Sequence, residues 1–235
     1  MKHIACKHNG ELGKACPIST QLINISGHQA LILHEHNTLR NTLASGKLFD
    51  LPPPERMATM QWSDELAMLA ELNVKQCQMV YDPCHNTYQF RNSGQNLAIH
   101  NMTMPVDTTR MTDDLLIKES ITKWWDQYEN LTAARLEHFP KDKAVQEGLR
   151  NFAVMARDSN THVGCAAIRF DRENVQQFLL ACDYSANYAV DKPLYRLKNV
   201  GCQNGYDKVF TALCKEGEQY RDVEPLETTS KKPAK

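Results

Sequence analysis

The chain has 235 residues, 42% of them hydrophobic, which allows either one large domain or two small ones with a substantial core. Its formal charge of −1 gives no general reason to expect binding to nucleic acid or to an anionic membrane. No apolar run approaches the roughly 20 residues that a membrane-spanning helix requires. The first residues, MKHIACKHNG, lack the apolar segment of a signal peptide.

Residues 1–27 have no periodicity, so we predict an irregular arm that needs tethering. From His28 the pattern becomes helical, and one face recurs at i, i+4, i+7 and i+11: Ile32, His36, Leu39 and Leu43. Gly46 is a typical stop at the C-terminal end of a helix. The run Leu51-Pro52-Pro53-Pro54 then favours an extended loop.

Further helices are predicted in the middle of the chain. One should begin after Ser63, a suitable N-cap followed by two acidic residues, and extend to about Cys77. Residues 78–110 are polar and loop-rich. The next helix should start near Asp113, with a core stripe at helical spacing: Ile117, Ile121, Trp124 and Tyr128. A weaker fourth helix covers either 133–138 or 141–149, with Pro140 between them.

The stretch 150–184 has the composition of a sheet, with strands predicted at 152–156, 162–170 and 177–184. The break at 171–174 is typical of a hairpin loop. If residues 173 and 174 form the turn, Cys165 pairs with Cys182 and Ile168 with Leu179. Opposed β-carbons in an antiparallel pair lie about 4.5–5.5 Å apart, so this register favours a disulfide over two buried thiols.

The eight cysteines are even in number and widely spread, as in the disulfide framework of a protein from an oxidising compartment. Three N-x-S/T sequons mark candidate glycosylation sites at Asn24, Asn101 and Asn130. Periodicity is lost after residue 184, and the spacing of Cys202 and Cys214 indicates a small extension closed on itself. Helices come first and strands gather late, which predicts an α+β layered domain.

A series of short motifs runs in a fixed order from about residue 3 to residue 187. It comprises His3-Ile4-Ala5-Cys6, His36-Asn37-x-x-Arg40, Trp62-x-x-Glu65-Leu66-Ala67, Asp82-x-Cys84-x-Asn86-Thr87, Gly94-Gln95-Asn96-Leu97, Val163-Gly164-Cys165-Ala166 and Leu180-Ala181-Cys182-Asp183-Tyr184. In these motifs the chain resembles the CAP superfamily (SCP domain), and within it the insect venom antigen-5 proteins and their non-venom relatives. The resemblance implies a three-layer α-β-α sandwich with a central antiparallel sheet.

On this resemblance we expect four regions. They are a cysteine-containing arm at 1–27, the CAP domain at 28–190, a disulfide-looped extension at 191–225 and a disordered basic tail at 226–235. Three bridges are implied: Cys16–Cys77, Cys165–Cys182 and Cys202–Cys214. In antigen-5 proteins the counterparts of Cys6 and Cys84 pair with cysteines upstream of the first motif. That segment is absent here, so we expect the N-terminal arm and the signal peptide to have been cut off. Cys6 and Cys84 then either pair with each other or stay thiols.

Many CAP proteins hold a divalent metal in a surface cleft with two histidines and two glutamates. Carried over position by position, the histidines fall on Tyr81 and Asn151, and the glutamates fall on Gln95 and Gln127. A phenol and three amides have no net negative charge and no base that titrates near neutrality. We therefore expect no metal, no other cofactor and no catalytic residue. Arg150, in place of the family's glycine, adds a cation at the mouth of the cleft.

Other chemistry-bearing patterns are weak. No G-x-S-x-G, H-E-x-x-H, P-loop or dinucleotide-binding motif occurs. His34 and His36 lie two positions apart on a helix and so face different sides, which favours a structural role for His36. Trp124 is expected in the core, and Trp125 either lines the edge of the cleft or packs on the sheet.

The resemblance implies a secreted, extracellular and non-enzymatic protein of the antigen-5 type, which we expect to be a monomer. Relatives bind sterols, fatty acids or small lipids in grooves beside the helices, and others bind channels or receptors. A small lipid or sterol, or an extracellular protein, is therefore the expected partner. Two alternatives are a metal-dependent, hydrolase-like enzyme and a structural or immune-modulating secretory protein without a small ligand. The four substitutions in the cleft argue against the enzyme.

Overall fold

A computed structural model describes residues 2–6, 8–48, 51–197 and 201–220. The helices and strands, numbered in chain order, are β1 (Gln21–Leu22), α1 (Gln29–Ala44), β2 (Gln61–Trp62), α2 (Asp64–Val74), β3 (Gly94–Thr103), α3 (Asp113–Trp125), α4 (Ala133–Glu137), α5 (Lys143–Glu147), α6 (Arg150–Ala156), β4 (His162–Arg172) and β5 (Val175–Tyr184). A 3-10 turn precedes α1 at Ile25–His28, and another follows α3 at Asp126–Asn130. Within these described ranges, no helix is both long and apolar enough to cross a membrane.

The strands form one sheet in the order β1-β4-β5-β3, with β2 paired in parallel to the start of β4 and the other pairings antiparallel. α2 packs on one face, while α1, α3 and α6 form the layer on the other. Alternate side chains serve the two layers: Ala166, Ile168, Leu179 and Ala181 face α2, and Cys165, Ala167, Leu180 and Cys182 face the opposite core. This is the predicted α-β-α sandwich.

The β4–β5 hairpin has the predicted register. Residues 173 and 174 form the loop, Cys165 lies opposite Cys182, and Ile168 lies opposite Leu179. A disulfide joins the two cysteines, whose Cα atoms are 4.1 Å apart. The hairpin is therefore held by its hydrogen-bond ladder and by a covalent bridge.

The predicted helices form near their expected bounds. α1 begins directly after His28. α2 is capped by Ser63 as predicted, but it ends at Val74, before Cys77, whose φ of 53° is left-handed. α3 starts at Asp113. The two alternatives for the weaker helix both form, as the short helices α4 and α5.

The strand predicted at 152–156 is wrong, because these residues form most of α6. All five are buried, so the run meets protein on every side. A short apolar run without polar alternation fits a buried helix as well as a strand. The start of the helix is held by a distant side chain, since the backbone N–H groups of Asn151 and Phe152 both donate to Gln127 Oε1.

The region 78–110, predicted to be loop-rich, also contains a strand that the sequence pattern did not predict. β3 lies within it and pairs with β5 along its whole length. Polar residues such as Gln95 and Asn96 interrupt the apolar pattern from which a buried strand would be predicted. Leu97 faces the α2 layer and Ala98 the opposite layer, so the two-residue period is present but weak. Pairing with β5 decides the conformation here.

Two more disulfides tie down the ends of the fold. Cys16–Cys77 joins the arm to the loop after α2, and Cys202–Cys214 closes the extension. Their sequence separations are 61 and 12 residues. On the chain-entropy model, loops of these lengths correspond to about 4 and 3 kcal/mol of stabilisation.

Cys6 and Cys84 are free thiols in the structure. The arm nevertheless reaches Cys84, because the Ile4 backbone N–H donates to the Cys84 carbonyl oxygen at 2.9 Å. The domain boundaries stay predictions. The basic tail at 226–235 lies outside the described residues.

Candidate functional site

The four cleft positions come from separate parts of the fold. In chain order they lie in the loop after α2, in β3, in the 3-10 turn after α3 and in the first turn of α6: Tyr81, Gln95, Gln127 and Asn151. Tyr81 Oη donates to Asn151 Oδ1 at 3.1 Å, and the Asn151 backbone N–H donates to Gln127 Oε1 at 2.8 Å. Asn96 Nδ2 donates to the Asn151 carbonyl at 3.1 Å, which attaches β3 to the same network.

Gln95 lies between two carboxylates. Its Nε2 donates to Asp82 Oδ2 at 2.8 Å and to Asp183 Oδ1 at 2.9 Å, and its Oε1 accepts from the Asp82 backbone N–H at 2.9 Å. Both amide hydrogens are therefore in use. A glutamate would have no such hydrogens to donate and would place a third carboxylate here. An amide therefore suits this position, because it donates to both carboxylates and accepts from the Asp82 backbone.

Arg150 covers the phenol of Tyr81. The guanidinium carbon lies 3.4 Å from the centroid of the Tyr81 ring, and Nη1 lies 3.4 Å from Glu147 Oε1. Cation–π contacts of this kind contribute about 0.5–2 kcal/mol. Burial raises the pKa of Tyr81, and the Arg150 cation opposes this only in part, so the phenol stays protonated at neutral pH. A positive charge and a neutral phenol both disfavour a bound metal cation.

A polar cavity of about 230 Å³ lies beside this network. Its wall includes Asp82, His85, Asn92, Ser93, Gln95 and Arg150. Burial lowers the pKa of His85 to about 4, so its imidazole is neutral at pH 7, and its Nδ1 lies 2.8 Å from Ser93 Oγ. In the described part of the chain, no group of three or more His, Cys, Asp or Glu side chains is arranged to hold a metal ion.

Asp183 is a member of the site to which the sequence reasoning assigned no role. It is fully buried in β5. Oδ2 has no hydrogen-bond partner among the described residues, and His85 Nδ1 lies 4.0 Å away. Burial raises the pKa of Asp183 well above its ordinary value, Gln95 opposes this, and the Asp82 charge adds to it. A lone carboxylate inside the apolar run 179–184 was the available signal.

We expect Asp183→Asn to stabilise the protein at pH 7 but not near pH 3. A carboxyl group whose pKa is raised by folding favours the folded state below its unfolded pKa of about 3.9, and this contribution is lost as the pH rises. An amide keeps the oxygen that accepts from Gln95 and removes the buried ionisation. Urea unfolding of both proteins at several pH values measures the effect. The exposed Asp126→Asn is the control, and parallel pH profiles for Asp183→Asn and wild type would contradict the prediction.

In a second cluster, a serine contacts a histidine and the histidine contacts a carboxylate, as in the catalytic triad of a serine hydrolase. His100 Nε2 lies 2.8 Å from Ser120 Oγ, and His100 Nδ1 lies 3.7 Å from Glu119 Oε2. Ser120 is fully buried within α3, and its hydroxyl donates to the Leu116 carbonyl at 2.7 Å. A nucleophile must reach its substrate. Ser120 cannot, so this cluster is structural.

His36 is also structural, as predicted. It is fully buried, with Nδ1 2.8 Å from the Ile32 carbonyl oxygen and Nε2 2.9 Å from the Tyr184 hydroxyl. Burial lowers the pKa of His36 to about 4. His34 is exposed on another side of α1. The two histidines do not form a metal pair.

Both tryptophans of α3 are buried. Trp124 lies in the core and donates from Nε1 to the Leu97 carbonyl at 2.9 Å. Trp125 packs edge-on against Phe152 of α6, with ring centroids 4.9 Å apart. Neither ring is an exposed stacking surface. The sequon residues Asn24, Asn101 and Asn130 are all exposed, and their glycosylation stays a prediction.

Comparison with known proteins agrees with this geometry. Residues 33–184 match the family model described as "Cysteine-rich secretory protein family", CAP. The chain is 40% identical to the "Antigen 5 like allergen Cul n 1" of Culicoides nubeculosus, over 72% of this chain and 74% of that protein. It is 27% identical to "Venom allergen-1" of Aedes aegypti, over 93% of this chain and 85% of that protein.

Solved structures share the fold. "Structure of BmVAL-1" superposes with a TM-score of 0.62 at 19% identity, covering 85% of this chain and 97% of that one. "Crystal structure of NaASP2 with Zn2+" gives a TM-score of 0.60 at 18% identity, covering 86% of this chain and 100% of that one. At these identities the likeness concerns the fold alone.

The chain is therefore a CAP-fold protein whose described residues form three disulfides. It belongs to the cysteine-rich secretory protein (CAP) family, and its similarity to antigen-5-like venom allergens confirms the expectation from the motifs.

Proposed function

We propose that this chain is an extracellular, non-enzymatic binding protein of the antigen-5 type that works without a metal. One observation carries the proposal. The side chains at the four cleft positions all form hydrogen bonds within the protein. Tyr81 donates to Asn151, Gln127 accepts from the first turn of α6, and Gln95 donates to two carboxylates. Three disulfides support an oxidising compartment.

The chemistry of these groups explains why a metal is not expected. Zinc sites use imidazole, thiolate or carboxylate ligands, and amides and protonated phenols are poor replacements. Binding here would also break the Tyr81–Asn151 hydrogen bond and place a cation beside Arg150. Acid–base catalysis is not favoured either, because burial lowers the pKa of His85 to about 4, and because Asp183 is fully buried and does not line the cavity.

Calorimetric titration with Zn²⁺ tests the proposal. We expect no saturable binding by the wild type with a Kd below about 1 μM, because the donors are neutral and already hydrogen-bonded. A fivefold variant that carries the family residues is the positive control: Tyr81→His, Gln95→Glu, Gln127→Glu, Arg150→Gly and Asn151→His. Circular dichroism first establishes that this variant folds. Tight zinc binding by the wild type that Asn151→Ala weakens would overturn the proposal.

An apolar groove favours a lipid over a protein as the bound partner. The groove has a volume of about 340 Å³, and its apolar lining comes from Leu136, Pro193, Tyr195 and Leu197. Leu197 is 45% exposed. Glu55 and Glu137 also contribute to the lining. Burying the surface of a hydrocarbon chain against these side chains would stabilise the bound state.

A second cavity adjoins this groove and adds positive charge. It has a volume of about 240 Å³, shares Pro193, Tyr195 and Arg196 with the groove, and is also lined by Arg157, Asp158 and Lys192. Arg196 Nη1 lies 4.0 Å from Asp158 Oδ2, and the three cations outnumber this carboxylate. An amphiphilic anion such as a long-chain fatty acid fits this pair of cavities. Its chain would occupy the apolar groove, and its carboxylate would lie near the cationic side chains.

Mass spectrometry of lipids that co-purify with the secreted protein tests this part. We expect Leu197→Glu to lower the amount of bound fatty acid at least about fivefold, since it puts a charge into the apolar groove. Val209→Glu, at a position 75% exposed in the extension, is the matched control. Lipid-free wild-type protein would leave the protein partner, or a structural role without a small ligand, as the better interpretation.

A further inference from the structure

A cavity of about 680 Å³, which shares no lining residue with the polar cavity of the cleft, lies where the C-terminal extension meets the CAP domain. One side is formed by Gln61 of β2, residues 88–90, and Thr161 and His162 at the start of β4. The other side is residues 216–220 of the extension. The family match ends at residue 184, so this second wall comes from outside the matched region.

The extension wall is firmly attached. Glu218 is buried, and its carboxylate pairs with Arg56 Nη1 at 2.5 Å and accepts from the backbone N–H groups of Gln203 and Asn204 at 2.9 and 3.0 Å. Cys214, which is bonded to Cys202, exchanges backbone hydrogen bonds with the segment before β2, from its N–H to the Met57 carbonyl and from the Thr59 N–H to its carbonyl. The cavity is therefore preformed, which lowers the entropic cost of binding.

The lining combines aromatic rings with negative charge. Tyr88 is 60% exposed, and the Phe90 and His162 rings lie 5.4 Å apart at the base. Burial lowers the pKa of His162, and its Nδ1 contacts Thr161 Oγ1 at 2.9 Å, so the ring is neutral at pH 7. None of the lining residues is a lysine or an arginine.

Glu216 carries the uncompensated charge of this wall. The other lining carboxylate, Glu218, is neutralised by Arg56. Glu216 is exposed and forms no ion pair with any residue in the described ranges. An anionic ligand would meet this carboxylate with no cation to offset it. An ammonium group is attracted both by the carboxylate and by the faces of the aromatic rings.

We propose that this cavity binds an organic cation, a primary amine carried on an aromatic body, with the ring against Tyr88 and the ammonium group at Glu216. The amide groups of Gln61, Gln89 and Gln219 supply additional hydrogen-bond acceptors for the ammonium protons. The site shares no residue with the cleft or the lipid groove, so it stands or falls separately from the proposed function.

The test uses the full chain and two probes of the same shape and opposite charge, phenethylamine and 3-phenylpropionate. We expect calorimetry to give a Kd of about 0.1–1 mM for the amine, a range usual for so small a ligand, and no measurable binding of the acid. Amide chemical shifts in 88–90, 161–162 and 216–220 should move on titration with the amine. Glu216→Gln and Tyr88→Ala should each weaken binding about fivefold to tenfold.

Glu129→Gln, an exposed carboxylate on another surface, is the matched control and should leave the Kd unchanged. Equal binding of amine and acid would overturn the proposal, as would absence of amine binding. Amine binding that neither Glu216→Gln nor Tyr88→Ala weakens would place the ligand elsewhere and would overturn it too. Both substitutions are at exposed positions, so the variants are expected to fold.

Discussion

Replacing Arg40 with methionine is expected to destabilise the protein by at least about 4 kcal/mol, a large part of a typical domain stability of about 5–15 kcal/mol. The Arg40 side chain is fully buried, and its guanidinium donates to five backbone carbonyl oxygens at 2.6–3.3 Å: those of Ala58, Met155, Arg157, Asp158 and Asn160. Methionine fills similar space but removes the guanidinium donors. The Arg157 and Asp158 carbonyls still accept from the Asn160 and Ala58 backbone N–H groups, whereas the Ala58, Met155 and Asn160 carbonyls lose the donors that Arg40 supplies. Each buried acceptor left unpaired costs about 1–3 kcal/mol.

The five carbonyls belong to two segments, one before β2 and one that runs from the last turn of α6 towards β4. Arg40 therefore joins α1 to both. Burial lowers the pKa of Arg40 to about 10, so it remains charged at neutral pH. Urea unfolding at pH 7 measures the loss. We expect Arg40→Lys to be intermediate, because an ammonium has three hydrogens and no planar fork.

Arg110, whose side chain is 83% exposed, supplies the control. Arg110→Met should change stability by less than about 0.5 kcal/mol, as surface substitutions usually do. If Arg40→Met unfolded at the same urea concentration as wild type, the carbonyl contacts would not have the stabilising role assigned to them.

Replacing Gly164 with alanine is expected to cost at least about 3 kcal/mol. Gly164 lies in β4 where the start of α2 crosses the sheet. A β-carbon there would lie 2.1 Å from the Ala67 nitrogen, 2.4 Å from the Ser63 carbonyl oxygen and 2.7 Å from the Leu66 carbonyl carbon. These are backbone atoms, so neither a rotamer change nor a small side-chain shift relieves the overlap. The helix would have to move off the sheet.

Gly27 provides the matched control for this prediction. Its φ is not left-handed, and a β-carbon there meets no atom within 4 Å, so Gly27→Ala should be neutral or slightly stabilising. Thermal unfolding of both variants gives the comparison. A Gly164→Ala protein as stable as Gly27→Ala would mean that α2 and β4 approach less closely than the structure has them.

The side chains at the four predicted cleft positions bond to other groups of this protein. Gln95 donates to two carboxylates, and Asn151 accepts a hydrogen bond from Tyr81. Arg150 fills the space above the phenol. The fold depends instead on residues such as Arg40 and Gly164, which lie in other motifs of the sequence.

The sequence by itself determined the features that local chemistry controls. The caps and apolar stripes located α1, α2 and α3, and the two-residue loop set the register that places Cys165 opposite Cys182. The motifs identified the family, and the resemblance predicted the four cleft positions. Each of these depends on residues close in sequence, or on spacings that recur within the family.

Only the tertiary structure decided the rest. Residues 152–156 are helical because they are surrounded by protein and because Gln127 holds the start of α6, and β3 is a strand because it pairs with β5. The stacking of Arg150 on Tyr81, the burial of Asp183 and the cavity beside Glu216 each join residues far apart in the chain. Burial, and partners that only folding brings together, stabilise such contacts. A local pattern of residues shows neither the burial nor the partners.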